Sequence, residues 1–234
     1  MARELVIGGR EAALCDADRT LAREAFGAEP GSLQVALQRL LPVRPAEPIV
    51  ASVAAGHARM VLLPWLPQLT RPDRWRSLAA SRFEQIFCES TDGWILRVAE
   101  DVPPRPRLAA AIPNALLQSL QSVAKLRAVR VRLLDELGLL LQRERGFSGC
   151  VAQVGPDSAC LLMLWHGELR RIRMRRFDAL QELAVAARSE WAAARGPDSD
   201  AAAPGIAVAM LGRNPLAAEH LSSAIGCSRL VQLG

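Results

Sequence analysis

The side chains with nucleophilic or acid-base chemistry are scattered along this sequence rather than gathered into a motif. Ser148 and Cys150 flank Gly149, but no base lies near them in sequence to activate a nucleophile. Asp135 and Glu136 are adjacent, so they would point apart on a helix. The sequence therefore predicts no catalytic residue.

The histidines and cysteines also lack metal-ligand spacing. The chain has three histidines and five cysteines, an odd number, and no C-x-x-C pair. These residues are His57, His166, His220, Cys15, Cys88, Cys150, Cys160 and Cys227. Each cysteine lies in or beside an apolar run, which favours buried free thiols over zinc or a disulfide. No metal site is predicted.

An arginine-rich segment could bind an acidic partner. Arg170, Arg171, Arg173, Arg175 and Arg176 lie within seven residues. On a strand, the alternation of side chains places the arginines at 171, 173 and 175 on one face with the residues at 169 and 177, and the others on the opposite face. Protection of a sheet edge is the simplest interpretation. An acidic protein or membrane surface and a nucleic acid are the alternatives; nucleic acid is less favoured because tyrosine is absent and aromatic residues make up 4% of the chain.

Trp65 is the residue most suited to anchoring a protein partner. It lies between Pro64 and Pro67, and rigid aromatic side chains dominate interface hot spots. The simpler interpretation, which we favour, is an ordinary core role, in which Trp65 ends a strand and packs on the next helix.

Glycine turns organise the second half of the chain. Residues 149–178 are typical of three short strands, because turn residues at 155–157 and 166–168 separate runs rich in Val, Leu, Ile and Met. A helix from Asp178 through Ala194 and a strand at Ile206–Leu211 follow. The segment 196–204, rich in Asp, Ser, Ala and Pro, is predicted to be a loop.

The first half begins in the same way, with a hairpin formed by Glu4–Gly8 and Glu11–Cys15 around Gly9 and Arg10. Helices are predicted at 32–41, at 114–125 with Asn114 as the cap, and at 137–143. A further helix, with its apolar stripe at 75–87, is predicted to follow Thr70, which would cap it. Strands are predicted at 49–53, 58–63, 94–98, 107–112 and 129–133. Residues 145–149 are the predicted hinge, so the expected domains are 1–145 and 146–234.

Composition sets the class of protein. Of the 234 residues, 50% are hydrophobic, the net charge is +5 and the pI is about 9.5. No apolar run approaches the roughly 20 residues of a membrane-spanning helix, and the chain begins with a charged pair rather than a secretory signal. We expect a cytoplasmic protein without a membrane span.

Two halves that each open on a glycine-turn hairpin resemble the actin-like superfamily. The chain is most similar to its PilM and GspL type, through His57–Trp65, the helix at 75–87, Gly93–Arg97, Pro106–Ile112 and the meander; the resemblance covers most of residues 3–195. It implies an α/β fold with two ribonuclease-H-like lobes, each with a mixed sheet that starts from a hairpin or meander and is flanked by helices. It also implies protein partners in pilus or secretion assembly and a possible peripheral association with the inner membrane.

The same resemblance locates a nucleotide cleft and shows what is missing from it. Active relatives place Asp-x-Gly at each hairpin turn to hold Mg²⁺ beside phosphate-binding amides. Here Val6 and Gln153 stand at the acidic positions, and Arg213 replaces the second glycine of the adenosine loop after Gly212. The residues that a degenerate cleft would use are Gly8, Gly9, Gly155, Gly212 and Arg213. ATP binding would be weak, and no cofactor is predicted.

The preferred hypothesis is a catalytically degenerate actin-like scaffold that docks partner proteins. One alternative is an active ATP-binding member with unconventional phosphate loops. The other alternative is a basic nucleic-acid-binding module.

Overall fold

The computed structural model describes residues 3–16, 19–27, 29, 31–43, 45–99, 105–155, 158–195, 206–211, 215–226 and 229–233. The strands are β1 (Arg3–Ile7), β2 (Glu11–Asp16), β3 (Arg19–Ala25), β4 (Ile49–Val53), β5 (Arg59–Leu63), β6 (Trp94–Val98), β7 (Arg107–Pro113), β8 (Leu126–Val131), β9 (Ser148–Val154), β10 (Ser158–Trp165), β11 (Glu168–Arg176), β12 (Ile206–Leu211) and β13 (Arg229–Leu233). The helices are α1 (Ser32–Leu40), α2 (Pro72–Phe87), α3 (Asn114–Val123), α4 (Arg132–Arg143), α5 (Leu180–Arg195) and α6 (Pro215–Ile225).

The first lobe is built on a five-stranded sheet, here called the first sheet, with strand order β3-β2-β1-β4-β8. The chain enters as an antiparallel meander, and β4 and β8 then extend the sheet in parallel with β1. Leucines of α1 and α3, including Leu37 and Leu120, cover one face, where they pack on Leu5, Ile7 and Ala51. The two helices therefore bury only that face.

The second lobe repeats this arrangement in a second sheet, with strand order β11-β10-β9-β12-β13. Here both faces are covered, since α5 and α6 pack on one side and α4 packs on the other. Strands β10 and β12 are accordingly continuous apolar runs, the pattern expected of strands buried on both faces. Helix α4 belongs to the first half of the sequence but places Leu133, Leu137 and Leu140 against the second sheet.

A three-stranded sheet, with order β5-β7-β6, is inserted between β4 and α3. Helix α2 packs on it through Trp75, Ala79 and Phe83. Among the helices of the described residues, none is long and apolar enough to cross a membrane.

The predicted α/β fold with two mixed sheets that each begin with a hairpin or meander is confirmed. The predicted domain boundary at residue 145 stays a prediction. Strand β3 was missed, because nearly every residue of this edge strand is exposed and its composition is correspondingly polar.

Several predicted element ends were wrong. Helix α2 begins at Pro72 with Arg71 at its N-cap and no side-chain cap bond, so Thr70 does not cap it. Asn114 is the first residue of α3 rather than its cap. The strand predicted at 129–133 is Leu126–Val131, and α4 begins at once at Arg132, five residues before the predicted start at Leu137. Residues 196–204 lie outside the described residues.

Candidate functional site

The two glycine turns that head the sheets have the same backbone geometry. In the β1–β2 turn the Gly8 amide donates to the Glu11 carbonyl oxygen at 2.7 Å, and in the β9–β10 turn the Gly155 amide donates to the Ser158 carbonyl oxygen at 2.7 Å. A Cβ at either glycine would approach that carbonyl oxygen, at 3.1 Å and 3.3 Å. Because the turns match, Val6 in β1 and Gln153 in β9 occupy equivalent positions two residues before the glycine.

Gln153 makes a hydrogen bond from the second sheet to the first lobe. Its Oε1 accepts from the Ala55 amide at 2.7 Å, at the start of a 3₁₀ turn that follows β4 and spans Ala55–His57. On the same turn, a Cβ at Gly56 would lie 3.8 Å from the Ser158 hydroxyl oxygen. The Gln153 side chain therefore links the second hairpin to the first lobe.

His57, at the end of the same 3₁₀ turn, covers the first hairpin turn. Its Nε2 lies 2.5 Å from the Gly8 carbonyl oxygen, so this nitrogen carries the proton and donates. The ring centroid is 6.1 Å from that of Phe26, and the Ala54 amide donates to the Ile7 carbonyl oxygen at 2.7 Å. The sequence showed only an isolated histidine, because the bond joins residues 49 positions apart.

The 3₁₀ turn thus lies between the two hairpin turns and contacts both. Of the predicted cleft residues, Gly8 and Gly155 flank it, Gly9 is exposed at the first turn, and Gly212 and Arg213 lie outside the described residues. Val6 contributes a half-buried aliphatic side chain and Gln153 a neutral amide. Within the described ranges, no group of three or more histidine, cysteine or acidic side chains is placed to hold a metal ion.

The arginine-rich strand β11 is an edge of the second sheet, as the edge-protection interpretation requires. Arg171 and Arg173 point toward α5, where their Nε atoms lie 3.0 Å and 3.7 Å from the two carboxylate oxygens of Glu190, whose side chain is 11% exposed. Arg175 is exposed. Two of the three arginines assigned to a partner are therefore held by the protein's own acid.

The prediction that Leu169 shares a face of its strand with Arg171 was wrong. A register shift in the β10–β11 pairing falls at Arg170, so Leu169 lies opposite Leu164 rather than on the face of Arg171. Leu169 packs with Ile172 and Met174 on the covered side of the sheet. A β-bulge moves the following side chains to the opposite face, and simple alternation does not reveal it.

Trp65 is half buried and has aromatic partners. Its ring stacks on Trp75 with centroids 5.7 Å apart, and the Arg107 guanidinium lies 5.8 Å from Trp65 and 4.7 Å from Trp75. The Trp75 indole donates to the Leu69 carbonyl oxygen at 2.7 Å. Trp65 thus contributes to the core beside α2 while part of its surface remains accessible.

The cysteines differ from one another in burial. Cys150 and Cys160 are buried, and burial raises the pKa of the Cys160 thiol to about 12, so this thiol stays protonated and unreactive. Cys15 is half buried, and Cys88 is exposed in a left-handed conformation after α2, contrary to the prediction of a buried thiol. Cys227 lies outside the described residues.

Comparison with known proteins agrees with this architecture. No family model and no curated protein matches the chain. Among solved structures, a Bacteroides thetaiotaomicron protein with an actin-like ATPase fold and unknown function has a TM-score of 0.65 at 11% identity, covering 98% of this chain and 90% of that one.

The PilM–PilN type IV pilus biogenesis complex has a TM-score of 0.66 at 15% identity, covering 98% of this chain and 87% of the matched chain. The cytoplasmic domain of EpsL, an inner membrane component of the Vibrio cholerae type II secretion system, has a TM-score of 0.54 at 12% identity, covering 89% and 81%. The chain therefore has an actin-like fold of the kind found in PilM and in the EpsL cytoplasmic domain. At these identities, the likeness defines the fold alone.

Proposed function

We propose that this protein is an actin-like scaffold in which a fixed contact between the lobes has replaced the phosphate and metal chemistry of the cleft. The hydrogen bond from the Ala55 amide to Gln153 Oε1 carries the proposal. An ATPase of this fold needs a carboxylate here to bind Mg²⁺, whereas the Gln153 amide is neutral and its oxygen already accepts a hydrogen bond from the Ala55 amide.

The first hairpin supports the same conclusion. Val6 brings no carboxylate, and the His57 imidazole lies against Gly8 in the turn whose amides would face a phosphate. With an aliphatic group at one acidic position and an amide at the other, neither position supplies a carboxylate to hold the metal that accompanies a triphosphate.

The proposed role is to dock proteins of a pilus- or secretion-like assembly. The likeness to PilM in its complex with PilN and to the EpsL cytoplasmic domain supports a scaffold of this kind. The accessible part of Trp65, with Arg107 beside it, offers an aromatic and cationic surface suited to an acidic peptide.

Isothermal titration calorimetry with ATP, with and without Mg²⁺, tests the proposal. We expect either no heat or a weak heat that Mg²⁺ does not change. A Gln153→Asp variant is the matched control, because it restores a carboxylate at one acidic position without altering the turn glycine. Strongly Mg²⁺-dependent binding by the natural sequence would overturn the proposal.

A further inference from the structure

The inserted three-stranded sheet ends in a strand with an uncovered outer side. Strand β6 pairs with β7 on one side, and among the described residues no strand pairs with it on the other. Its other contacts are chiefly with α2, which packs across one face, and with a 3₁₀ turn at Thr91–Gly93, which precedes it. The outer edge of β6 therefore offers a position for one more strand.

Two hydrogen bonds show which backbone groups of β6 point outward. The Ala99 amide, just after the strand, donates to the Leu108 carbonyl oxygen of β7 at 2.8 Å. The Trp94 amide instead donates to the Thr91 carbonyl oxygen, away from β7. Because the backbone groups of an antiparallel strand point alternately to one side and the other, the residues at positions 95 and 97 bond to β7, and those at positions 94, 96 and 98 face outward.

Leu96 and Val98 therefore direct both an amide and a carbonyl outward, while Trp94 directs only its carbonyl, since its amide is already bonded. The side chains of these three residues are half buried beside α2. Strand addition uses main-chain hydrogen bonds for affinity and alternate side chains for specificity. This edge provides both.

Strand β6 lacks the charges that protect two other edge strands. Strand β11 carries five arginines, and β3 carries Arg19, Arg23 and Glu24. Charged side chains on an edge discourage the addition of a further strand. The sequence of β6 has one charged residue, Arg97, among apolar ones. Of these three edges, β6 is the one suited to accept a strand.

Arg97 specifies the charge that the added strand should carry. It is exposed and has no ion-pair partner among the described residues. Its neighbour across the β6–β7 ladder is Ala110, and Ile95 on the same face lies opposite Ile112. The position on the other side of Arg97 belongs to the added strand, where a carboxylate would form a favourable cross-strand pair.

A second copy of β6 does not supply that carboxylate. When two copies pair antiparallel about Leu96, each Arg97 lies opposite Ile95 of the other copy. Pairing about Arg97 sets the two arginines directly opposite, where like charges are destabilising. The unpaired arginine therefore favours a different protein whose strand carries an acid.

We propose that the outer edge of β6 binds an extended acidic segment of a partner protein, which adds to the inserted sheet as an antiparallel strand with an aspartate or glutamate opposite Arg97. Antiparallel pairing matches the other strands of this sheet and is the more stable arrangement. Opposite Val98, Leu96 and Trp94 the segment would carry apolar residues, so its pattern is apolar, acidic, apolar, any residue, apolar. This inference rests on the proposed scaffold function and names the chemistry of its partner.

Amide hydrogen exchange measured by NMR tests the proposal. The probe is the peptide Ser-Val-Glu-Val-Thr-Val-Ser with blocked termini. In the free protein the amides of Leu96 and Val98 should exchange much faster than those of Ile95 and Arg97, which bond to β7. At about ten times its Kd, the probe should slow exchange at Leu96 and Val98 about tenfold and leave the amides of β3 unchanged.

A single N-methyl group on the probe separates strand addition from apolar contact alone. The middle valine of the probe would face Leu96 and donate to its carbonyl oxygen, so N-methylation of that valine should abolish the protection. The amide of the probe's threonine would point away from β6. N-methylation of the threonine is therefore the matched control and should leave most of the protection.

Substitution of Leu96 tests the same hydrogen bonds from the protein side. Leu96→Pro removes an outward donor but no bond to β7, and proline is tolerated at such positions of edge strands. It should abolish protection of the Val98 amide. Leu96→Ala loses the same side chain but keeps the donor, so it should retain protection. If the proline variant folds poorly, the two N-methylated probes decide the question on the natural sequence.

Charge exchange tests the assigned acid. Arg97→Glu should weaken binding of the probe several-fold, and replacing the probe's glutamate with lysine should restore it. Arg188→Glu, at an exposed position of α5, makes the same change in charge and should have no effect.

Four outcomes would overturn the proposal. They are slow exchange at Leu96 and Val98 in the free protein, which would mean that the edge is already covered; no protection by the probe; equal effects of the two N-methyl groups; and a dimer in light scattering that Leu96→Pro abolishes. The nucleotide titration does not involve β6. Mg²⁺-dependent ATP binding would therefore overturn the proposed function, whereas failed protection without ATP binding would overturn only this inference.

Discussion

The first and second sheets share a topology and a turn geometry but differ in how completely they are covered. Both begin with a meander, add two parallel strands and close the first turn with a glycine amide bonded to the carbonyl oxygen three residues later. The second sheet is buried between α4 on one face and α5 and α6 on the other, whereas the first sheet is fully buried under α1 and α3 on one face and largely half-buried on the other. The same framework is thus packed to two different degrees.

The largest effect is expected at Gly149, in the fully covered sheet. Its φ is +148°, and a Cβ there would lie 1.8 Å from the Ala207 carbonyl oxygen. Gly149→Ala should lower the free energy of unfolding by more than about 4 kcal/mol. Circular dichroism during denaturation should then show no cooperative unfolding transition, because the variant no longer folds stably.

Gly138, in the middle of α4, is the control for that substitution. A Cβ there meets nothing within 4 Å, so Gly138→Ala should stabilise the protein by about 0.5–1 kcal/mol through the gain in helix propensity. Equal effects at the two glycines would contradict the difference in packing.

The next largest effect is a difference in the stability lost when equivalent positions on the two sheets are truncated. Leu162 is fully buried under α4, so Leu162→Ala should cost about 2–5 kcal/mol. Cys15 occupies the matching position on the first sheet, and Cys15→Ala should cost less than about 1 kcal/mol because the site is only partly buried. Urea denaturation measures both, and similar losses would show that the two positions are equally well packed.

Substitutions at Gln153 test how the lobes are joined, and they should change the free energy of unfolding by a smaller amount. Gln153→Ala removes the acceptor of the Ala55 amide and should lower the free energy of unfolding by about 1 kcal/mol. Gln153→Glu has the same length and retains an acceptor oxygen, so it should restore most of that loss. If urea titrations show no difference between the alanine and glutamate variants, the hydrogen bond does not stabilise the joined lobes.

The smallest effect is the pH dependence at Asp135. Because its pKa in the folded protein is raised by desolvation and by Glu4, ionisation is penalised by folding, and the penalty develops as pH rises through the unfolded pKa, about 3.9, toward the folded one. Asp135→Asn should therefore raise Tm slightly at pH 7 and have no effect at pH 3. If Asp135→Asn is destabilised only at neutral pH, the expected direction of the change in Tm is wrong.

Local patterns were sufficient to predict most elements but not their exact junctions. The stripe at 75–87 predicted α2, and the apolar runs separated by glycine turns predicted the second meander. The boundary between β8 and α4 was misplaced, because strand alternation through Val131 continues into Leu133, which is the first buried residue of the helix. A residue at such a junction fits either period.

The candidate site was only partly accessible to sequence reasoning. Val6 and Gln153 were identified at acidic positions through the Asp-x-Gly pattern, but the bond from Gln153 to Ala55 joins residues 98 positions apart. The pairing of Arg171 and Arg173 with Glu190 and the placement of Leu169 likewise depend on a neighbouring helix and on a bulge. No local pattern encodes such contacts.

The sequence by itself determined the turns, the buried strands and the presence of Val6 and Gln153 two residues before the turn glycines, because each depends on residue chemistry and a short period. Only the tertiary structure decided that the amide at Gln153 joins the lobes, that His57 covers Gly8, and that the two faces of the first sheet differ in burial. These features depend on how the two halves meet in space, where α4 places its buried leucines against the second sheet.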